Sequence, residues 1–169
     1  MKSLYLLRHA KYDRRPEVES DPPLDGTGRR DAERVGEYMR QHGLKPGLIL
    51  CSAARRASET QALVTARLEC EPEVSIEQGI TKADEKDLLS RLQEVGEGVA
   101  TVLLIGHNPA LHRLASTLAG GGDPEALARL SADLPSGSLT AFSLPDKPWL
   151  ELGSGDGTLT HFVVPADLG

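Results

Sequence analysis

Residues 101–120 read TVLLIGHNPALHRLASTLAG. After Thr101, residues 102–106 form an unbroken apolar run, of the kind a strand buried on both faces requires. The run stops at His107-Asn108-Pro109. Behind it Leu111, Leu114, Ala115 and Leu118 recur at the spacing of a helix with one apolar face. Asn108 suits the N-cap and Pro109 the first helical position. A strand that feeds directly into a helix is the repeating unit of an α/β sheet, so this stretch sets the fold class.

The same unit recurs upstream. Residues 3–8 read as a first strand, followed by a polar loop with prolines at 16, 22 and 23. Asp25 then caps a helix striped by Ala32, Val35 and Met39, which ends at Gly43 with Pro46 just beyond. Residues 48–51 form a second strand, 54–68 its helix and 74–76 a short third strand. Asp84 opens a helix with Leu88, Leu92 and Val95 on one face, and DPEALARL (residues 123–130) is another short helix with Asp at its cap. The period then changes: residues 139–144, 149–152 and 159–164 read as strands, with GSGDG (residues 153–157) turning between the last two. The expected architecture is a single three-layer α/β domain over residues 1–169. Its central sheet is mixed but mostly parallel, flanked by helices, with an antiparallel pair at one side.

Composition narrows the function classes. With 39% hydrophobic and 26% charged residues the chain reads as an ordinary globular protein, without an apolar run long enough to span a membrane. A formal net charge of −6 argues against nucleic acid or an anionic membrane as partner, since both demand a basic face. The N-terminal apolar run is too short for a signal peptide and is followed by Arg8, Lys11, Arg14 and Arg15, so a cytoplasmic protein is expected, acting as a monomer. Cys51 and Cys70 are too few for a disulfide framework and are expected to be thiols.

In open α/β sheets ligands bind beyond the carboxyl ends of the parallel strands. Three chemically loaded segments fall there: Arg8-His9, residues 52–56 and His107-Asn108. Arg55 and Arg56 occupy the first turn of their helix, where the macrodipole disfavours cations and a bound anion would reverse the penalty. The helix after Asn108 offers free N–H groups to the same kind of ligand. Two imidazoles and one or two guanidiniums converging beyond a sheet suit a phosphoryl group, because Arg matches phosphate oxygens bidentately.

The segments LLRHA, SAARRASET and LLIGHNP, in that order, resemble the three motifs of the histidine phosphatase superfamily, also called the phosphoglycerate mutase-like family. PLDGTGRRDA (residues 23–32) resembles the stretch leading into that family's first helix. Length and strand placement are similar to its small phosphohistidine phosphatases. The resemblance implies a phosphatase in which His9 is the nucleophile, Arg8 and Arg56 hold the phosphoryl oxygens, and His107 is the second histidine, with Asn108 beside it at the substrate. Arg55, one residue early, is an outer basic residue. The implied partner is a phosphohistidine-bearing phosphotransfer protein or a small phosphorylated substrate, and no metal or other cofactor is required.

The chemistry sets conditions. To attack phosphorus, His9 must be neutral, with one ring nitrogen free and the proton on the other fixed by an acceptor. Adjacent residues of a regular strand point to opposite faces, so Arg8 and His9 converge only if the strand breaks near them. The segment EQGITKADEKD (residues 77–87) lacks a clean match to the family's proton donor, leaving Glu77, Asp84 and Glu85 as candidates. Cleaving a P–N bond to imidazole needs less help from an acid than cleaving a P–O bond, so this departure favours a phosphohistidine substrate. Tyr12, Asp13, Arg14 and Arg15 stand where small polar residues are usual, and give the mouth a basic character.

Other titratable groups have plainer readings. His42 and His161 read as structural, and His112 lies at the wrong spacing from His107 to share a metal. CSAARR suggests a cysteine phosphatase, yet only four residues separate Cys51 from Arg56, where that loop needs five. A small-molecule phosphomonoesterase of the same family and a non-catalytic phospho-ligand binder remain as alternatives.

Overall fold

Near-continuous apolar strands need cover on both faces, and the chain supplies helices to each. In the computed structural model, which describes residues 1–15 and 20–169, β1 (Lys2–Arg8) lies inside the sheet, paired parallel to β4 (Thr101–Gly106) and antiparallel to β6 (Leu139–Leu144). The proline at position 16 lies outside the described residues.

The remaining strands are β2 (Leu48–Ser52), β3 (Glu73–Glu77), β5 (Ala119–Gly122) and β7 (Gly157–Val163), in the order β3-β2-β4-β1-β6-β7-β5. β6 alone runs against the others. Strand periodicity divides the core in two: Leu4, Leu6, Leu50 and Leu104 face one side, while Tyr5, Leu7, Ile49 and Leu103 face the other.

The second side is covered by α1 (Gly26–Gln41) and α2 (Arg55–Thr65), through Val35, Met39, Ala57 and Val64. The first is covered by α4 (Glu85–Gln93), α5 (Ala110–Leu118) and α6 (Pro124–Ala132). A single-turn helix, α3 (Gln78–Thr81), follows β3. The expected caps form at three helices: Asp25 accepts from Gly28 N, Asp84 from Asp87 N and Asp123 from Ala126 N. Gly28 permits α1 to start against the loop after His9, because a Cβ there would stand 1.9 Å from the Lys11 carbonyl oxygen.

Two expectations are corrected and one strand is added. Residues 149–152 are not a strand: Trp149–Glu151 is a short 3-10 helix. Trp149 is 1% exposed, its indole N–H donating to Val99 O and its backbone N–H to Glu97. Burying the indole with its N–H satisfied holds this segment against the core, so the antiparallel partner of β7 is β6. β5 escapes the sequence because AGGG carries no side-chain period. Asn108 does not cap α5: its side-chain N–H group donates to Leu134 O at 2.9 Å, and the helix opens after Pro109 without a side-chain cap.

Among the described residues no helix is long and apolar enough to cross a membrane.

Candidate active site

β2, β4 and β1 are neighbours in the sheet and end level, with Cys51 opposite Ile105 and Gly106 opposite Arg8. The three loaded segments therefore emerge side by side. β1 ends at Arg8, as the convergence of Arg8 and His9 required. His9 still donates its backbone N–H to Gly106 O at 3.1 Å, but its side chain lies beyond the regular strand, 3% exposed.

The His9 imidazole is fixed through Nδ1, 2.9 Å from Ala10 O. A carbonyl only accepts, so the ring proton resides on Nδ1 and Nε2 carries the free lone pair. Ala10 is held in turn: its N–H donates to Thr60 Oγ1 at 3.0 Å, and that hydroxyl donates to Arg56 O at 2.7 Å. Thr60 thus ties the backbone beside His9 to the helix that carries Arg56.

His107 stands next to His9, with ring centroids 5.1 Å apart. Arg56 Nη2 lies 3.3 Å from His107 Nδ1, while Nε2 of the same ring is 2.7 Å from Ser52 Oγ. Arg8 Nη1 donates to Leu134 O at 3.0 Å, the carbonyl that Asn108 also engages. Both guanidiniums keep donors in hand, since the Nε of Arg8 and of Arg56 is buried without a protein partner among the described residues. Tyr12 closes one side, its ring 5.4 Å from that of His9 and 5.0 Å beneath the Arg56 guanidinium.

These surroundings oppose protonation. Burial first, then His107, Arg56 and Arg8, push the His9 imidazole down from 6.5 to about 3, although the Ala10 carbonyl acts in the opposite sense. Burial and the same two arginines take His107 down to about 4. Between pH about 6.5 and those values the unfolded chain binds more protons than the folded one, so stability is full above pH 6.5 and falls on acidification. Denaturant melts at pH 7 and pH 5 are expected to show a loss of up to about 1.4 kcal/mol per pH unit for each histidine. A variant carrying both His9→Gln and His107→Gln is expected to give the flatter profile.

The other candidates separate cleanly. Glu77 is locked in an ion pair with Arg91, at 2.8 and 2.9 Å, which with the Ser75 hydroxyl holds its carboxyl below the usual range. A group so held makes a poor proton donor. Asp84 spends a carboxylate oxygen on the α4 cap, and the backbone N–H of Asp87 lowers its pKa. Asp84 and Glu85 nevertheless line a cavity of about 290 Å³ that also touches His107, Lys82 and Arg113. Arg55 faces Glu59 at 2.8 Å, and its backbone N–H is capped by Asp21 at 2.9 Å, in keeping with an outer position. Lys11, Tyr12, Arg14 and Arg15 line an outer cavity of about 650 Å³, whose basic character is partly offset by Asp13 paired with Arg15 at 2.6 Å.

His42 and His161 pack with Tyr38 in a separate ring cluster, and His112 lies 2.6 Å from Leu130 O. Among the described residues no group of three or more metal-ligating side chains is found. Burial pushes the Cys51 thiol up to about 12, so it stays protonated and unreactive.

The family expectation meets a match over the first part of the chain. Residues 4–81 match the histidine phosphatase superfamily, branch 1. The whole chain also resembles an uncharacterised protein of Mycobacterium tuberculosis, Rv1276c, at 28% identity over 94% of this chain and 99% of that protein. Its fold is shared with the SixA protein of Nakamurella multipartitia, at 23% identity, 97% and 96% coverage and a TM-score of 0.83. The protein histidine phosphatase SixA complexed with tungstate gives 22% identity, 99% coverage of both chains and a TM-score of 0.79. Arg8, His9 and Arg56 fall inside the matched segment, and His107 lies beyond it. Three further contacts were not singled out in the sequence: Ser52, Thr60 and Thr81. Thr60 had a legible signal, one helical turn after Arg56, whereas Thr81 is brought in only by α3.

Proposed function

We propose that the chain is a phosphatase that removes phosphate from a protein phosphohistidine through a covalent phosphohistidine on His9. The observation that carries this is the orientation of His9, with Nδ1–H on Ala10 O and Nε2 left free in the company of Arg8, Arg56 and His107.

In the first step the Nε2 lone pair attacks phosphorus while the bond from phosphorus to the substrate imidazole breaks; that electron pair returns to the departing nitrogen, and a proton on the other nitrogen of the substrate ring lets it leave as neutral imidazole. Arg8, Arg56 and His107 donate to the equatorial oxygens, whose charge grows in the transition state. Asn108 serves indirectly, by sharing the Leu134 carbonyl with Arg8. Water then cleaves the phosphohistidine, releasing inorganic phosphate and restoring Nε2. Transfer from one imidazole to another makes little demand on an acid. Among the described residues no carboxylate hydrogen-bonds or pairs with Arg8, His9, Arg56 or His107, which fits that economy. A monomer acting in the cytoplasm on a phosphotransfer domain completes the proposal, with Cys51 and Cys70 both free thiols.

One observation favours a second reading. Asp84 and Glu85 share a cavity with His107, and a carboxyl there could serve an alkoxide leaving group, as a small-molecule phosphomonoesterase would need. Phosphate release from a histidine-phosphorylated phosphotransfer domain and from p-nitrophenyl phosphate separates the two. Faster release from the phosphohistidine is expected, and faster release from the ester would transfer the assignment to the second reading. Binding without release from either substrate would mark a non-catalytic module. Cys51→Ser is expected to keep turnover within about twofold, because a buried thiol of raised pKa supplies no nucleophile. Steady-state rates of that variant exclude or restore the cysteine route.

A further inference from the structure

Ser52 closes β2 with its side chain wholly buried, and its hydroxyl meets three groups. Oγ lies 2.7 Å from His107 Nε2 and 3.0 Å from Thr81 Oγ1, and it accepts from Ala54 N at 3.1 Å. Thr81 Oγ1 in turn accepts from Ala53 N at 3.0 Å. A hydroxyl owns one proton and two lone pairs, so the directions in this chain are not independent.

Arg56 decides them. A guanidinium donates and cannot accept, and its Nη2 stands 3.3 Å from His107 Nδ1. A proton on Nδ1 would set two N–H groups against each other, so Nδ1 carries the lone pair and Nε2 the proton. His107 Nε2–H therefore donates to Ser52 Oγ, which also takes the Ala54 N–H and passes its own proton to Thr81 Oγ1. Each acceptor in the chain is then filled, and no donor is opposed by another.

We infer that Ser52, backed by Thr81, is a positioning residue that fixes His107 as the Nε2–H tautomer with Nδ1 turned to the phosphoryl side. The inference rests on the phosphatase reading and deepens it. Held this way, neutral His107 accepts at Nδ1 and cannot donate to a phosphoryl oxygen. It donates only after the Arg56 Nη2–H turns from Nδ1 to a phosphoryl oxygen and Nδ1 takes one proton, either from a singly protonated phosphoryl group or from solvent, and the dianionic phosphoryl group then stabilises the imidazolium so formed. Nε2–H stays on Ser52 throughout. Substrate binding thus loads the second histidine with its proton, while His9, fixed through the opposite nitrogen, stays neutral to attack.

The test is imidazole ¹⁵N NMR of the full chain at pH 7, together with kcat/KM across pH 6–8. Wild type is expected to show His107 protonated at Nε2. Ser52→Ala removes the acceptor and is expected to bring in the Nδ1–H tautomer. Its kcat/KM should fall about tenfold at pH 6 and only a few-fold at pH 8, because the new tautomer donates without taking up a proton. Ser52→Thr, which restores a hydroxyl, should recover most of the rate. Thr81→Val frees the Ser52 proton to point at Nε2 and is expected to move the tautomer in the same direction, independently of how well Ser52→Ala folds. An unchanged tautomer in both variants, or a deficit uniform with pH, would overturn the inference. Failure of wild type to turn over any phosphorylated substrate would instead remove the phosphatase reading and leave the tautomer assignment standing.

Discussion

His9→Ala is expected to lower kcat/KM for phosphate release by at least about 10⁴-fold, because losing a nucleophile removes the covalent route altogether. The expectation follows from how much of the site serves that one ring. Ala10 O holds Nδ1–H, Thr60 holds Ala10, and α2 holds Thr60. Burial and the two arginines keep the ring neutral far below its ordinary pKa. Folding should survive the change, since the substitution removes an imidazole whose charging the fold opposes and leaves the β1 ladder intact. Radiolabelled substrate, quenched during turnover, gives the deciding measurement. Wild type is expected to carry an acid-labile, base-stable phosphoryl label, as a phosphoramidate does, and His9→Ala to carry none. A labelled His9→Ala protein would move the nucleophile elsewhere.

The route from sequence to this site was uneven for physical reasons. β1, β2 and β4 were legible because strands buried on both faces must be apolar throughout, and their polar ends stand out against that background. Once three such strands lie side by side, the segments after them have little choice but to meet. Residues 149–152 misled because Trp-Leu-Glu-Leu is a short, mostly apolar run, while the force that placed them was burial of one indole with its N–H on Val99 O. Asn108 misled differently. Its local context is that of an N-cap, but its amide is engaged by Leu134, twenty-six residues away along the chain. Thr81 and Leu134 carry no local signal at all, because a hydroxyl on a single-turn helix and a loop carbonyl acquire meaning only when the chain brings them to His107 and Arg8.

Arg56→Ala is expected to cost about 10²–10³ in kcat/KM, the loss typical of removing one preorganised donor from a developing oxyanion. Arg56 has more to lose than a single contact. Its guanidinium covers the Tyr12 ring, opposes the charging of both histidines and meets His107 Nδ1. Arg56→Lys should recover little, since an ammonium keeps the charge but lacks the planar fork that spans two phosphoryl oxygens. The adjacent residue provides the control. Arg55 shares the same helical turn and formal charge, but its side chain is engaged with Glu59, so Arg55→Ala should stay within about threefold of wild type. Equal losses at both positions would mean that the site uses only the summed positive charge of the turn. A loss confined to Arg56, with kcat falling more than KM rises, would mean that one directed guanidinium meets charge that appears in the transition state.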